Sequence, residues 1–179
     1  MIADFIAAWI NTRPTPETGE DIDARAAVVA HAVQHVEPGQ HWPYGAAAWR
    51  ALVLRTWFEE GARFSLEVHA GRTRGDEGRA ACLGQVWSHG VILPRAEWLQ
   101  TMGVDETSTA ACAHATARYL TVGVERCMRP SLSELENTAR VVMLYGTGKR
   151  CTPSAWAYER ASGALRWRTI FEPSEAING

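Results

Sequence analysis

The chain lacks three features that would assign its class at once. It has no run of about 18 apolar residues, so we expect no membrane-spanning helix. It has no basic excess, because 18 Lys and Arg stand against 20 Asp and Glu. General nucleic-acid binders are usually basic, so we expect no nucleic-acid partner. Asp4 stands where a secretory signal peptide carries basic residues. We therefore expect synthesis in the cytoplasm without a signal peptide.

Metal ligands are also sparse in the sequence. None of the four cysteines forms a C-x-x-C pair or stands at zinc spacing with a histidine, so we expect no structural zinc. His31 and His35 are one helical turn apart and lack a third ligand, which favours a surface pair. We expect no metal and no organic cofactor. The cysteines can be free buried thiols or can form any of three complete disulfide pairings; they are Cys82, Cys112, Cys127 and Cys151.

The composition itself is typical of one globular domain. Of the 179 residues, 46% are apolar and 21% are charged, which excludes a disordered chain and a collagen-like repeat. A chain of this length can bury a real core. Tryptophan is enriched, with 8 residues against 4 each of Phe and Tyr. Such planar side chains suit a core, and they also suit a carbohydrate cleft.

Apolar spacing predicts three helices in the first third of the chain. Residues 2–10 and residues 22–36 each carry an apolar stripe at helical spacing. A third helix is predicted over residues 46–60, where apolar residues cover much of the circumference and indicate a central position. We assign residues 1–45 to an N-terminal helical segment that packs on the domain formed by residues 46–179.

Beyond residue 60 the pattern changes. Residues 66–68 and 82–87 are interpreted as short extended segments, separated by a glycine-rich charged loop at 71–79. Two helices are predicted to follow, one starting near Asp105 and one starting at Ser131. The sequence therefore predicts an α+β domain, mostly helical, with a small irregular β region. A cleft is expected between that region and the helices.

Two acids end the third predicted helix. Glu59 and Glu60 follow Trp57 and Phe58, at a helix end where the dipole disfavours negative charge. A carboxyl beside apolar rings ionises less readily, because burial disfavours its charge. A carboxyl that stays protonated can act as a general acid. The same pair is also typical of a solvated helix end, so these residues alone leave both interpretations open.

Further segments follow the acid pair in a definite order. They are the glycine-bearing loop Arg74–Arg79, the segment Leu83–Gln85, the small-residue and aromatic face Ala115–Leu120, and the helix end Leu144–Gly148. This order resembles the lysozyme-like superfamily, in particular lytic transglycosylases and goose-type lysozymes. In these proteins a Glu ends a buried helix, and a G-L-M-Q-like strand and a later Tyr follow it. The resemblance runs from about Leu52 to Cys151 and implies a lysozyme-like α+β domain.

The residue after the acid departs from the family pattern, which usually has Ser there. That place is taken by Glu60 if Glu59 is the acid, and by Gly61 if Glu60 is the acid. We favour Glu60, because a small residue then follows it. In addition, Phe64 and Val68 then stand at helix-like offsets from the acid. Glu59 remains the alternative.

The resemblance implies cleavage of the peptidoglycan glycan strand between N-acetylmuramic acid and N-acetylglucosamine. One Glu would protonate the glycosidic oxygen and then act as base, through an oxocarbenium-like transition state. Attack by the sugar's own 6-hydroxyl gives the 1,6-anhydro product of a lytic transglycosylase, and attack by water makes the enzyme a muramidase. Both routes remain open. The resemblance also implies substrate contacts from Gln85, Tyr145, Tyr119 and Asp76. Asp76 and Glu77 are candidates for a second carboxylate.

We expect an enzyme that acts as a monomer on the bacterial cell wall after release from the cytoplasm. A phage endolysin or a virion-associated bacteriolytic protein would act in this way. An alternative is a catalytically inactive lysozyme-like module with a binding or structural role, for example in a virion. The missing Ser and the net negative charge favour that alternative. A chitin-like polymer is a third candidate substrate.

Overall fold

The computed structural model describes residues 1–12, 22–87 and 108–172. Within these ranges the α-helices are α1 (Ile2–Asn11), α2 (Ile22–Gln34), α3 (Gly45–Glu60), α4 (Leu66–His69), α5 (Thr109–Cys127), α6 (Glu134–Thr147) and α7 (Ala155–Trp167). The strands are β1 (Ala80–Ala81) and β2 (Val86–Trp87). The described chain is thus mostly helical with one small antiparallel sheet, as predicted for an α+β domain. None of the described helices is both long enough and apolar enough to cross a membrane.

The first two helices share the core of the rest of the domain. α1 buries Ile6 and Ile10, and α2 buries Val29 and Val33. All four side chains belong to the same apolar cluster as the buried residues of the later helices. The described parts of residues 1–45 therefore pack on the body that the remaining helices form.

α3 lies at the centre of the helical body, which confirms its predicted position. Trp49, Leu52, Leu54 and Trp57 are almost completely buried, and they point to different sides of the helix. A helix that is apolar all round needs neighbours all round. α3 packs against α7 and also contacts α2 and α5. The indole N–H of Trp57 donates to Thr116 Oγ1 on α5 at 2.9 Å.

The β region is smaller than the sequence predicts. β1 pairs antiparallel with β2, with Ala80 opposite Trp87. Residues 82–85 form the turn between the strands rather than a strand. The predicted extended segment at 66–68 is wrong, because these residues lie in α4, a single helical turn that buries Val68. Three residues are too few to separate a period of two from a period of 3.6, so the alternation of Leu66, Glu67 and Val68 fitted either structure.

Two predicted helix starts are displaced. Ser108 has extended backbone and caps α5 through its side chain, so the helix begins at Thr109 and not near Asp105, which lies outside the described residues. Ser133, and not Ser131, caps α6 in the same way. A serine side chain at these positions accepts an N–H of the first helical turn that has no partner within the helix. Neighbouring hydroxyl residues offer several such caps, and packing selects one of them.

The apolar pattern of the sequence does not predict α7. The buried residues of α7 are mostly Ala and Gly, so its apolar stripe is weak. Trp167 at its end is 8% exposed. The Trp167 ring lies 5.0 Å from the ring of Phe5, 5.9 Å from that of Trp9 and 5.2 Å from that of Phe58, measured between centroids. This aromatic cluster joins α1, α3 and α7.

Disulfide bonds join two pairs of elements. Cys82–Cys112 ties the turn between β1 and β2 to α5. Cys127–Cys151 ties the end of α5 to the segment after α6. The alternative of free buried thiols is therefore wrong. Free and disulfide-bonded cysteines are both commonly buried, so burial does not distinguish them. The Cα–Cα distances of 5.9 Å and 5.2 Å are those of disulfide-bonded pairs.

Candidate active site

A cleft of about 570 Å³ lies where the sheet meets the ends of the helices. Its lining comes from the end of α3, the turn before β1, the sheet, α5, and the end of α6 with the residues that follow it. The lining residues are Glu60, Gly75, Asp76, Ala80, Gln85, Trp87, Tyr119, Tyr145, Gly146, Thr147, Gly148 and Lys149. Of the residues named from the sequence as catalytic or substrate-binding, all but Glu59 and Glu77 line this cleft.

Glu60 is the last residue of α3, and its side chain is 25% exposed. Its Oε1 accepts a hydrogen bond from Nη1 of Arg160 on α7. The guanidinium of Arg160 in turn lies over the ring of Trp156, 4.8 Å from the ring centroid. The surroundings of Glu60 therefore contain a cation, whereas the sequence predicted apolar rings beside it.

The residue after Glu60 has no room for a side chain. A Cβ at Gly61 would lie 2.5 Å from the carbonyl oxygen of Trp57 and 3.0 Å from the carbonyl oxygen of Leu83. Both distances are shorter than van der Waals contact. The turn between β1 and β2 packs so closely on the end of α3 that it excludes the Ser which the family resemblance would place here.

Glu59 does not line the cleft. Its carboxylate pairs with Arg55, one turn earlier in α3. It lines a separate depression of about 410 Å³, together with Trp9 and Arg63. Consecutive residues of an α-helix differ in direction by about 100°, because the helix has 3.6 residues per turn. The two acids therefore face different surroundings, and only Glu60 reaches the cleft.

The Gln85 side chain forms hydrogen bonds with the backbone before and after β1. Its Oε1 accepts the N–H of Gly75 at 2.6 Å, and its Nε2 donates to the carbonyl of Cys82 at 2.8 Å. An amide nitrogen carries two hydrogens, so one remains for a ligand in the cleft. Gln85 and Cys82 both have positive φ, at 49° and 58°. For residues other than glycine this conformation costs about 1–3 kcal/mol, and it clusters at functional sites.

Tyr119 on α5 and Tyr145 on α6 form hydrogen bonds with the backbone of the β region. Tyr145 Oη donates to the carbonyl of Gly84 at 2.5 Å, and Tyr119 Oη donates to the carbonyl of Trp87. Burial raises the pKa of Tyr145 well above its ordinary value, and the charge of Glu60 raises it further. The hydroxyl therefore keeps its proton. Each hydroxyl has a single hydrogen, which is used on the backbone, so the two tyrosines position the sheet and can only accept hydrogen bonds from a ligand.

Asp76 is the second carboxylate among the described residues that line the cleft. It begins a single 3₁₀ turn, Asp76–Gly78, and has a φ of 48°. Its side chain is exposed, so it can reach a ligand. The neighbouring Glu77 pairs with Arg79 at 2.9 Å and does not line the cleft. Of the two loop acids named from the sequence, the structure thus brings only Asp76 to the cavity.

Three side chains at the cleft escaped the sequence analysis: Trp87, Lys149 and Arg160. Lys149 is the only lysine among the 18 basic residues, and this rarity is a signal that could have marked it. Trp87 is one of the 8 tryptophans, and its place at the end of the extended segment was a weaker signal. No local pattern marks Arg160, because its contact with Glu60 spans 100 residues.

The histidines take no part in the cleft as far as the described residues go. His31 and His35 stack with ring centroids 4.3 Å apart, and no group of three possible metal ligands exists in the described ranges. Nε2 of His69 lies 2.8 Å from Thr109 Oγ1. Burial lowers the pKa of His69, and the charge of Arg25 lowers it further. This histidine is therefore a neutral group that packs between α4 and α5.

Neither a protein-family model, nor a curated protein, nor a solved structure matches this chain.

Proposed function

We propose that the chain cleaves the glycan strand of peptidoglycan between N-acetylmuramic acid and N-acetylglucosamine, with Glu60 as general acid and base. One observation carries the proposal. Glu60, Asp76, Gln85, Tyr119 and Tyr145 come from separate segments of the chain, and all of them line one cleft of about 570 Å³. That volume lies in the usual range of small-molecule and cofactor sites. The bacterial cell wall, reached after release from the cytoplasm, is the proposed place of action.

Glu60 supplies the proton for the bond-breaking step. In its protonated form it donates to the glycosidic oxygen as the bond to the sugar carbon breaks, and positive charge develops on the sugar ring. Arg160 stabilises the carboxylate that remains. This carboxylate then takes a proton from the attacking group, which is either the sugar's 6-hydroxyl or a water molecule. Asp76 is the carboxylate that can stabilise the positive sugar ring or orient that water.

Gln85, Tyr119 and Tyr145 supply the contacts that orient the sugar. The second hydrogen of the Gln85 amide nitrogen can be donated to an N-acetyl carbonyl, because the other hydrogen is used on Cys82. Tyr119 and Tyr145 can accept hydrogen bonds from sugar hydroxyls or N-acetyl N–H groups. Gln85 lies in a turn held by hydrogen bonds and a disulfide, and both tyrosine hydroxyls are already bonded to the backbone, so little ordering cost remains when the sugar binds.

A second candidate function is a lysozyme-like module that binds the glycan strand without cleaving it. The ion pair between Glu60 and Arg160 favours this alternative, because Arg160 occupies a carboxylate oxygen that a general acid would direct at the glycosidic oxygen. In that case the cleft would still bind the strand.

Separate Glu60→Gln and Glu59→Gln variants test the proposal. Each acid pairs with one arginine, and each side chain is about a quarter exposed, so the variants are matched. We expect Glu60→Gln to reduce the solubilisation of purified peptidoglycan by about 10²-fold or more, the effect of losing an acid–base group, and Glu59→Gln to stay near the parent rate. Mass spectrometry of the released muropeptides separates the two routes, because an anhydro product is lighter by one water.

The outcomes distinguish the candidates. Equal losses in both variants, or loss only in Glu59→Gln, would remove Glu60 from the mechanism. A parent protein that binds peptidoglycan and releases no muropeptide would support the non-catalytic module. Release of fragments from chitin but not from peptidoglycan would replace the proposed substrate.

A further inference from the structure

Lys149 carries the one positive charge among the described side chains that line the cleft. The residue lies directly after the end of α6, and its side chain is exposed. No ion pair of the described chain includes it, in contrast to Arg160, which pairs with Glu60. The ammonium group is therefore available to a ligand that occupies the same cavity as the proposed acid.

The backbone at Lys149 is held from both sides. Gly148 ends α6 in the left-handed conformation at φ 68°, and its N–H donates to the carbonyl of Leu144. The Thr147 hydroxyl oxygen accepts the N–H of Lys149 and the N–H of Arg150. The disulfide of Cys151 to Cys127 anchors the chain two residues later. Because the backbone is already ordered, only the side chain of Lys149 loses freedom on binding.

We propose that Lys149 binds a carboxylate of the peptidoglycan strand and makes the cleft selective for this polymer over a neutral chitin-like one. This inference rests on the proposed function and names a residue that determines its specificity. Both polymers share the N-acetylglucosamine unit. Only peptidoglycan carries a carboxylate, either on the lactyl group of peptide-free strands or on the stem peptide of substituted strands.

Lys149 also balances the remaining negative charge of the cleft. Glu60 is already paired with Arg160, so Asp76 is the lining charge that would repel an anionic polymer in the absence of Lys149. Lys149 offsets this repulsion. A neutral polymer would gain nothing from the ammonium group.

Lys149→Gln and Lys149→Arg variants test this role, with Arg150→Gln as the matched control. Arg150 is the adjacent exposed cation and does not line the cleft. The substrates are neutral chito-oligosaccharides, peptide-free glycan strands and strands with stem peptides. We expect Lys149→Gln to raise KM for the anionic strands about fivefold, the effect of one exposed charge pair, with kcat unchanged. Lys149→Arg should restore KM, and added salt should reduce the difference.

The three substrates locate the carboxylate. An effect on peptide-free strands assigns it to the lactyl group, and an effect restricted to substituted strands assigns it to the stem peptide. An equal effect on chito-oligosaccharides, no effect on any substrate, or the same effect in Arg150→Gln would overturn the proposal.

Binding measured in a Glu60→Gln background keeps this test separate from the test of catalysis. Reductive methylation followed by mass spectrometry reads out the only lysine of the sequence. We expect peptide-free or substituted strands to protect Lys149, and neutral chito-oligosaccharides to leave it unprotected. If the parent does not cleave but the strands protect Lys149, the proposed reaction fails and the binding role stands. If the parent cleaves and Lys149 stays unprotected, the binding role fails alone.

Discussion

At the scale of single residues, the neighbouring acids Glu59 and Glu60 have different surroundings, because each pairs with a different arginine. Arg55 and Glu59 belong to the same helix, so their pairing is local. Arg160 reaches Glu60 from α7, and Trp156 lies against its guanidinium. Trp156 packs in turn on Gly146, where a Cβ would lie 2.7 Å from the ring. A chain of contacts thus connects the end of α6 to the position of the proposed acid.

Arg160→Gln tests whether this chain of contacts positions Glu60. We expect kcat on purified peptidoglycan to fall about ten- to a hundredfold, the effect of a misplaced catalytic group, while KM changes little. Steady-state kinetics at a temperature far below the unfolding midpoint provide the measurement.

Arg160→Lys is the conservative control, since an ammonium group can still reach the carboxylate, and it should recover part of kcat. A rise in KM without a fall in kcat would show that Arg160 contacts substrate instead. An unchanged kcat would assign it a purely structural role.

At the scale of elements, the short sheet cannot hold its own conformation, because an isolated two-stranded hairpin is marginal in water. Here it is held by the hydroxyls of Tyr119 and Tyr145 and by the Cys82–Cys112 disulfide. The N–H of Gly84 also donates to Cys112 Sγ at 3.4 Å. Gly84 leaves room for these contacts, since a Cβ there would lie 2.2 Å from Thr116 Oγ1.

Replacing Cys82 and Cys112 together by Ser tests the role of this link. We expect the free energy of unfolding to fall by about 3–4 kcal/mol, from the lost restriction of the unfolded chain. We also expect kcat to fall, because the turn that carries Gln85 is released from α5. Urea unfolding and kcat on purified peptidoglycan provide the two measurements.

The second disulfide is the matched control. Cys127 and Cys151 are 24 residues apart against 30 for Cys82 and Cys112, so their replacement should cost a similar free energy. It joins the end of α5 to the segment after α6 and not to the turn that carries Gln85, and kcat should therefore remain near that of the parent. An equal loss of kcat in both double variants would contradict a specific role for the Cys82–Cys112 link.

At the scale of the whole molecule, one apolar core connects the first helix to the last. Trp167 on α7 meets Phe5 and Trp9 on α1 and Phe58 on α3. Phe58 stands two residues before Glu60, so the aromatic cluster also supports the end of the helix that carries the proposed acid. It lies outside the cleft, since none of its members lines the cavity.

Trp167→Ala should lower the free energy of unfolding by about 3–5 kcal/mol, as expected for removing a large buried ring. Well below the unfolding midpoint, kcat should stay within about twofold of the parent, because the ring does not line the cleft. Urea denaturation measures the stability.

Tyr158→Ala on the same helix is the control. Its side chain is 38% exposed, and we expect a change of less than about 0.5 kcal/mol. A similar loss in both variants would mean that the ring cluster contributes no more than the surface of α7 does.

Features that depend on the spacing of nearby residues were predictable from the sequence, and features that depend on packing were not. α3 was predictable because its 16 residues contain several turns of apolar spacing. α7 was not, because Ala and Gly make close packing possible without forming a strong apolar stripe. The turn at 82–85 was mistaken for a strand, since four residues do not reveal a period and Cys82 and Gln85 adopt left-handed backbone there.

The residues of the candidate site were named from the order of their motifs, and that order is a property of the sequence. By itself, the sequence determined the mostly helical α+β class, the central third helix and the pair of acids at its end, because helical periodicity and end signals act within a few turns. Only the tertiary structure decided that Glu60 and not Glu59 faces the cleft, which cysteines pair, and that Arg160 and Lys149 lie at the site. Those outcomes depend on contacts between residues far apart in the chain, and no local pattern encodes such contacts.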